Sequence, residues 1–140
     1  MRFFILLCVV LCFVGSCIGM TRPQVKKTLQ IMKKQCISKV GVPEDKVENI
    51  EQGVFIEDRL VMCYIACVYK TLQLVKNNKL DRDLVVKQID ALYPPELKEG
   101  TKKGVDKCIH TQDNYSDLCE ATFYGAKCLY EFDPPNFIFA

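Results

Sequence analysis

Apolar positions recur at helical spacing along most of this chain, and strand-type alternation nowhere lasts beyond a few residues. A first helix is predicted over about Arg22–Lys39, with Val25, Leu29, Met32 and Cys36 on one face. Thr21 stands at its cap, Pro23 suits its first turn, and Gly41 ends it. A short helix follows from Pro43 to about Glu51, stopped near Gly53. The third is predicted over roughly Glu57–Asn77. Its stripe of Val61, Ile65, Val68, Leu72 and Val75 marks one buried face. Cys63, Cys67 and Leu74 lie on another side, and Tyr64 and Tyr69 widen the apolar zone. A helix with more than one buried flank belongs at the centre. Asn77-Asn78-Lys79 reads as a loop. Asp81 caps a fourth helix reaching about Leu92, with Leu84, Val85, Ile89 and Leu92 inward. Tyr93-Pro94-Pro95 breaks it. The fifth, Glu96 to about His110, is weakly apolar and carries Gly100 and Gly104. The sixth runs from Ser116 to about Phe132, is rich in aromatics, and ends at Asp133-Pro134-Pro135. The pattern is all-α, with about six helices.

The first residues follow another rule. Arg2 precedes an unbroken apolar run from Phe3 to Val14, and Cys17-Ile18-Gly19 offers small residues where a secretory signal is cut. The run is shorter than the ~20 residues a spanning helix needs. Met1–Gly19 is therefore expected to be a signal peptide, and residues 20–140 one domain of about 120 residues. Removing the leader takes Arg2 away and lowers the formal net charge from +2 to +1. Nucleic-acid binding, which uses a basic stripe, is not indicated.

Of nine cysteines, Cys8, Cys12 and Cys17 leave with the leader. Cys36, Cys63, Cys67, Cys108, Cys119 and Cys128 remain, with gaps of 26, 3, 40, 10 and 8 residues. An even set in an exported chain reads as a disulfide framework. Cys63 and Cys67, four apart on one helix, hold their Cβ atoms about 5–6 Å apart, too far to bond each other. Cys119 and Cys128 are separated by about 13 Å along a helix axis and face opposite ways. Excluding both pairs leaves ten of the 15 connectivities open. Zinc is disfavoured by the oxidising route and the single His110; no Cys-x-x-Cys suggests redox catalysis.

The order and gaps of these cysteines resemble the six-cysteine signature of insect odorant-binding proteins, the pheromone and general odorant-binding family. Cys63-Tyr64-Ile65-Ala66-Cys67 and the eight-residue gap from Cys119 to Cys128 carry most of the likeness. Leu60-Val61-Met62-Cys63-Tyr64, Tyr93-Pro94-Pro95-Glu96 and Ala126-Lys127-Cys128 are similar too. The resemblance implies bridges Cys36–Cys67, Cys63–Cys119 and Cys108–Cys128, around an internal apolar cavity. Candidate wall residues are Ile65, Val68 and Leu72 on the third helix, and Val86, Ile89 and Tyr93 on the fourth. Leu97 follows the double proline, and Phe123, Tyr124, Ala126 and Leu129 lie on the sixth. Phe137, Ile138 and Phe139 put large apolar groups on a terminus, where chains are normally polar and frayed. The resemblance implies that this tail folds back over the cavity mouth.

The implied function is a secreted, extracellular carrier of small hydrophobic molecules such as odorants or pheromones. A tyrosine (Tyr69, Tyr93 or Tyr124) would donate one hydrogen bond to the guest. A membrane chemoreceptor is admitted as a second partner, and a monomer or weak homodimer as the assembly. No cofactor, metal or catalytic residue is assigned. No Gly-x-Ser-x-Gly elbow occurs, nor the His and Gly-rich calcium loop of small secreted phospholipases. The alternative is a salivary or venom-type effector that binds a protein or lipid partner on the same scaffold. A carboxylate at Ala140 and its neighbours would lose hydrogen bonds in acid, which makes release pH-dependent. His110 reads as an exposed helix-end residue, and Asn114-Tyr115-Ser116 is an N-glycosylation acceptor.

Overall fold

The structure, a computed structural model, describes residues 19–140. The predicted leader lies outside them, apart from Gly19. Among the described residues the chain forms five α-helices joined by 3₁₀ turns. They are α1 (Arg22–Val40), α2 (Arg59–Thr71), α3 (Arg82–Leu92), α4 (Pro95–Cys108) and α5 (Leu118–Phe132).

Each start has a local cause. At α1 the Gln24 side chain accepts from the Thr21 backbone N–H at 2.8 Å, and Gly41 closes the helix in the left-handed region at φ 76°. Asp58, Asp81 and Asp117 each accept a backbone N–H at the heads of α2, α3 and α5. The cap of α5 is thus Asp117, with Glu120 at the third helical position, one residue later than predicted.

Two predicted elements change. The short second helix is a pair of 3₁₀ turns, Glu44–Lys46 and Ile50–Gln52. The third predicted helix runs too far. α2 stops at Thr71, and Val75–Lys76 pairs antiparallel with Lys79–Leu80 as a small hairpin, β1 and β2. Asn77 and Asn78 both take positive φ, 51° and 59°, which is the tight turn that matches strand twist. Asparagine tolerates that region better than most residues, so Asn-Asn favours a hairpin over helix continuation. Leu72 and Val75 therefore share the apolar stripe in sequence but not in space.

α2 is central. Val61, Tyr64, Ile65, Ala66, Cys67, Val68 and Tyr69 are all buried on it. It packs between α1 and α5, while α4 packs on α3 and α5. Gly104 permits the last approach, because a Cβ there would stand 2.9 Å from the Phe132 ring. Cys36 is joined to Cys67, Cys63 to Cys119, and Cys108 to Cys128, with Cα–Cα distances of 5.8, 4.5 and 5.8 Å. The bridges thus tie α1 to α2, α2 to α5, and α4 to α5. These pairings are among those that helix geometry leaves open.

Candidate functional site

The helices do not close completely on one another. A hollow remains between them, with about 130 Å³ open to the centre of a water-sized sphere. A single water needs only roughly 10–15 Å³ of occupied space, so the hollow has room for a chain of several carbon atoms. α1 contributes Val25 and Leu29, and α2 contributes Val68 and Tyr69, with Leu72 at its C-terminal cap. Val85, Gln88, Ile89 and Leu92 come from α3, with Tyr93 just beyond it. α4 adds Thr101 and Val105, α5 adds Leu129 and Phe132, and the hairpin adds Leu80. Gln112 holds that last residue in place. Its side chain accepts from the Leu80 N–H at 2.8 Å and donates to the Leu80 carbonyl at 3.1 Å, acting as a third strand.

The tail forms the remaining side. Phe137, Ile138, Phe139 and Ala140 are buried and border the hollow. Phe139 meets Tyr69 edge-on with ring centres 5.8 Å apart, and Phe137 meets Tyr130 likewise at 5.6 Å. Three polar contacts pin its backbone. The buried Tyr64 hydroxyl donates to the Ala140 oxygen at 3.0 Å. The Arg22 guanidinium donates to the carbonyls of Pro135 at 3.0 Å and Phe137 at 3.3 Å.

The lining is electrically quiet. No lysine, arginine or histidine is among its residues, and Asp133, the one charged side chain among them, accepts from Asn136 at 3.0 Å. Burial, with the neighbouring Tyr93, raises the Tyr69 phenol well above its ordinary value. Burial, then the nearby Glu51, pushes Tyr93 up to about 12. Both phenols are therefore neutral hydrogen-bond donors across physiological pH.

Residues 19–132 match the model of the PBP/GOBP family. The chain belongs to that family. It is 26% identical over 121 residues to general odorant-binding protein 72 of Anopheles gambiae, across 86% of this chain and 99% of that protein. Among solved structures, Apis mellifera odorant binding protein 5 superposes with a TM-score of 0.78 at 32% identity, covering 87% of this chain and 99% of that one. Odorant binding protein 4 of Chrysopa pallens gives 0.77 at 34% identity, covering 86% and 99%.

In this PBP/GOBP-family chain the structure places the sequence candidates in two groups. Val68, Leu72, Ile89, Tyr93, Leu129, Phe137, Ile138 and Phe139 border the hollow. Ile65, Phe123 and Ala126 do not, because they are fully buried in the solid seam between α2 and α5. Val86 is half-buried on α3 next to the lining Val85, one helical step off the wall. Leu97 is half-buried against the core rather than on the hollow. Tyr124 turns outward to stack on Tyr115, with ring centres 4.6 Å apart. His110 sits on the surface, 3.2 Å from Asp113, and does not border the hollow. Sequence reasoning missed Val25, Leu29, Leu80, Thr101 and Val105. The signal for Val25 and Leu29 was present in the apolar face of α1. Thr101, Val105 and Ile109 recur every four residues along α4 and its C-terminal cap, a stripe obscured by the lysines of α4. Leu80 had no signal without the hairpin.

Proposed function

We propose that this protein is a secreted, non-enzymatic carrier that takes up one small hydrophobic molecule in the hollow and releases it reversibly in extracellular fluid. The observation that carries the reading is an apolar hollow of about 130 Å³ inside a cross-linked domain, bounded on one side by a buried tail. Filling such a space with carbon is favourable because apolar surface leaves water, at about 25 cal/mol per Å². A guest with about 250–350 Å² of surface contributes roughly 6–9 kcal/mol before association costs. Association costs subtract from that sum, so dissociation constants of about a micromolar or weaker are expected. Family membership supports the reading, since the relatives named above are odorant-binding proteins. Three disulfides support an exported protein, and among the described residues no helix is long and apolar enough to cross a membrane.

The test is titration of the oxidised protein with an apolar fluorophore such as phenylnaphthylamine, followed by displacement with volatile and fatty compounds. Saturable one-site binding with competition is expected. Failure of the whole panel to compete would reject the carrier reading.

A further inference from the structure

The tyrosine hydroxyls divide by partner. Tyr64 donates to the Ala140 oxygen and Tyr130 to the Gln52 carbonyl. Tyr69 and Tyr93, which border the hollow, have no hydrogen-bond partner among the described residues. The amide of Gln88, on the same lining, has none either. None of the three is sealed away: among the described residues the buried side-chain atom without a partner is Glu51 Oε1, whose carboxylate lies outside the lining but near enough to raise the Tyr93 phenol. The other polar lining groups are occupied. Thr101 donates to the Leu97 carbonyl at 2.8 Å, and Asn136 donates to Asp133. Two phenols and one amide thus present unused hydrogen-bonding capacity to an otherwise apolar space.

The charge pattern narrows what that capacity suits. A carboxylate brought into the hollow would lose its hydration and find no cation on the walls. Arg22, Lys26 and Lys98 lie outside the lining: Arg22 donates to two tail carbonyls, Lys26 pairs with Glu51 at 2.8 Å, and Lys98 donates to the Asp90 carbonyl at 2.7 Å. Phenols can donate to a neutral oxygen, and the Gln88 amide can donate or accept.

We infer that the hollow selects a neutral, medium-length chain with one oxygen function, an alcohol, aldehyde or ketone, held by Tyr69, Tyr93 and Gln88, and discriminates against the carboxylate of equal length. This rests on the carrier reading above and gives the ligand class for the same site.

Displacement of phenylnaphthylamine by decan-1-ol, decanal, n-decane and decanoic acid tests it. At mildly alkaline pH, decanol and decanal should compete roughly ten-fold more tightly than decanoate. Below the acid's own pKa, the ratio of acid to alcohol affinity should rise to within about three-fold of unity as its charge is lost. Tyr69→Phe and Tyr93→Phe should each weaken decanol by roughly three- to ten-fold and leave n-decane unchanged, because one hydrogen bond is removed without a change of shape. Decanoate binding as tightly as decanol at alkaline pH would overturn the inference while leaving the carrier reading intact. So would equal losses for decanol and n-decane in the Phe variants. Failure of all four compounds to compete would instead sink the carrier reading, and this inference with it.

Discussion

Gln112 and Gly53 each do work that no other residue type at their position would do. Gln112 satisfies both backbone groups of Leu80 with one buried side chain. Gln112→Ala strands those groups, and leaving a buried polar group unpaired costs about 1–3 kcal/mol. Denaturant unfolding should report that loss, with faster amide exchange confined to the hairpin. Gly53 sits at φ 89°, directly beneath the Tyr130 ring, whose hydroxyl donates to the Gln52 carbonyl at 3.0 Å. A Cβ there meets the ring as well as an unfavourable backbone region. Gly53→Ala should lower stability by about 2 kcal/mol or more, whereas Gly41→Ala, with open space around it, should cost about 1. Equal losses at the two glycines would show that the Tyr130 contact is unimportant.

Among the elements, the cross-links and caps divide the labour. The Cys63–Cys119 bridge spans 56 residues of sequence and Cys108–Cys128 spans 20. The loop-entropy account assigns each about 3–4 kcal/mol, slightly more for the longer loop. Replacing Cys63 and Cys119 together by serine should therefore lower unfolding free energy by about 4 kcal/mol, read from the denaturant midpoint. Asp117 caps α5 and also forms a forked ion pair with Arg59 of α2. Arg59 first, then the backbone N–H groups of α5, hold its carboxyl down to about 2. A carboxylate with a depressed folded pKa adds stability above its unfolded value near 4 and loses it as pH falls toward 2. Stability should fall through that window, by no more than about 1 kcal/mol from this exposed pair, and Asp117→Asn should remove that part of the slope.

Most of the element pattern could be read from the chain. The helix starts at Thr21, Asp81 and the Asp58 and Asp117 regions, and the stops at Gly41 and the double prolines, are local signals. The hairpin was hidden because Leu72 and Val75 continue the α2 stripe while the Asn77-Asn78 turn overrides it. The wall was only partly legible for a related reason. Periodicity says that Ile65, Phe123 and Ala126 are buried, but a buried face does not reveal whether it meets another side chain or an empty space. Which cysteines pair also lay beyond local geometry, which left ten solutions open, and came from family resemblance.

At the scale of the whole molecule, stability and emptiness are coupled. A void inside a domain forfeits packing, by roughly 24 cal/mol per Å³ in measured core truncations. Three cross-links between helices offset such a loss and let a chain of this size keep an unfilled interior. The tail is part of the same arrangement, since Tyr64 and Arg22 pin its backbone while its aromatic rings close one side of the hollow. Tyr64→Phe should cost about 1 kcal/mol of stability and hasten guest release in stopped-flow exchange, with little change in the rate of uptake.

The central claim is that the hollow itself holds the guest, and filling it tests that most directly. Val85 borders the space from α3 and is only half-buried, so Val85→Phe places a ring in it with little strain on the seam. Phenylnaphthylamine titration and thermal unfolding should then be measured on the same variant. The expected result is at least a ten-fold loss of affinity with an unfolding midpoint equal to or above that of the native chain. Undiminished affinity in a folded Val85→Phe protein would place the guest elsewhere and contradict the account.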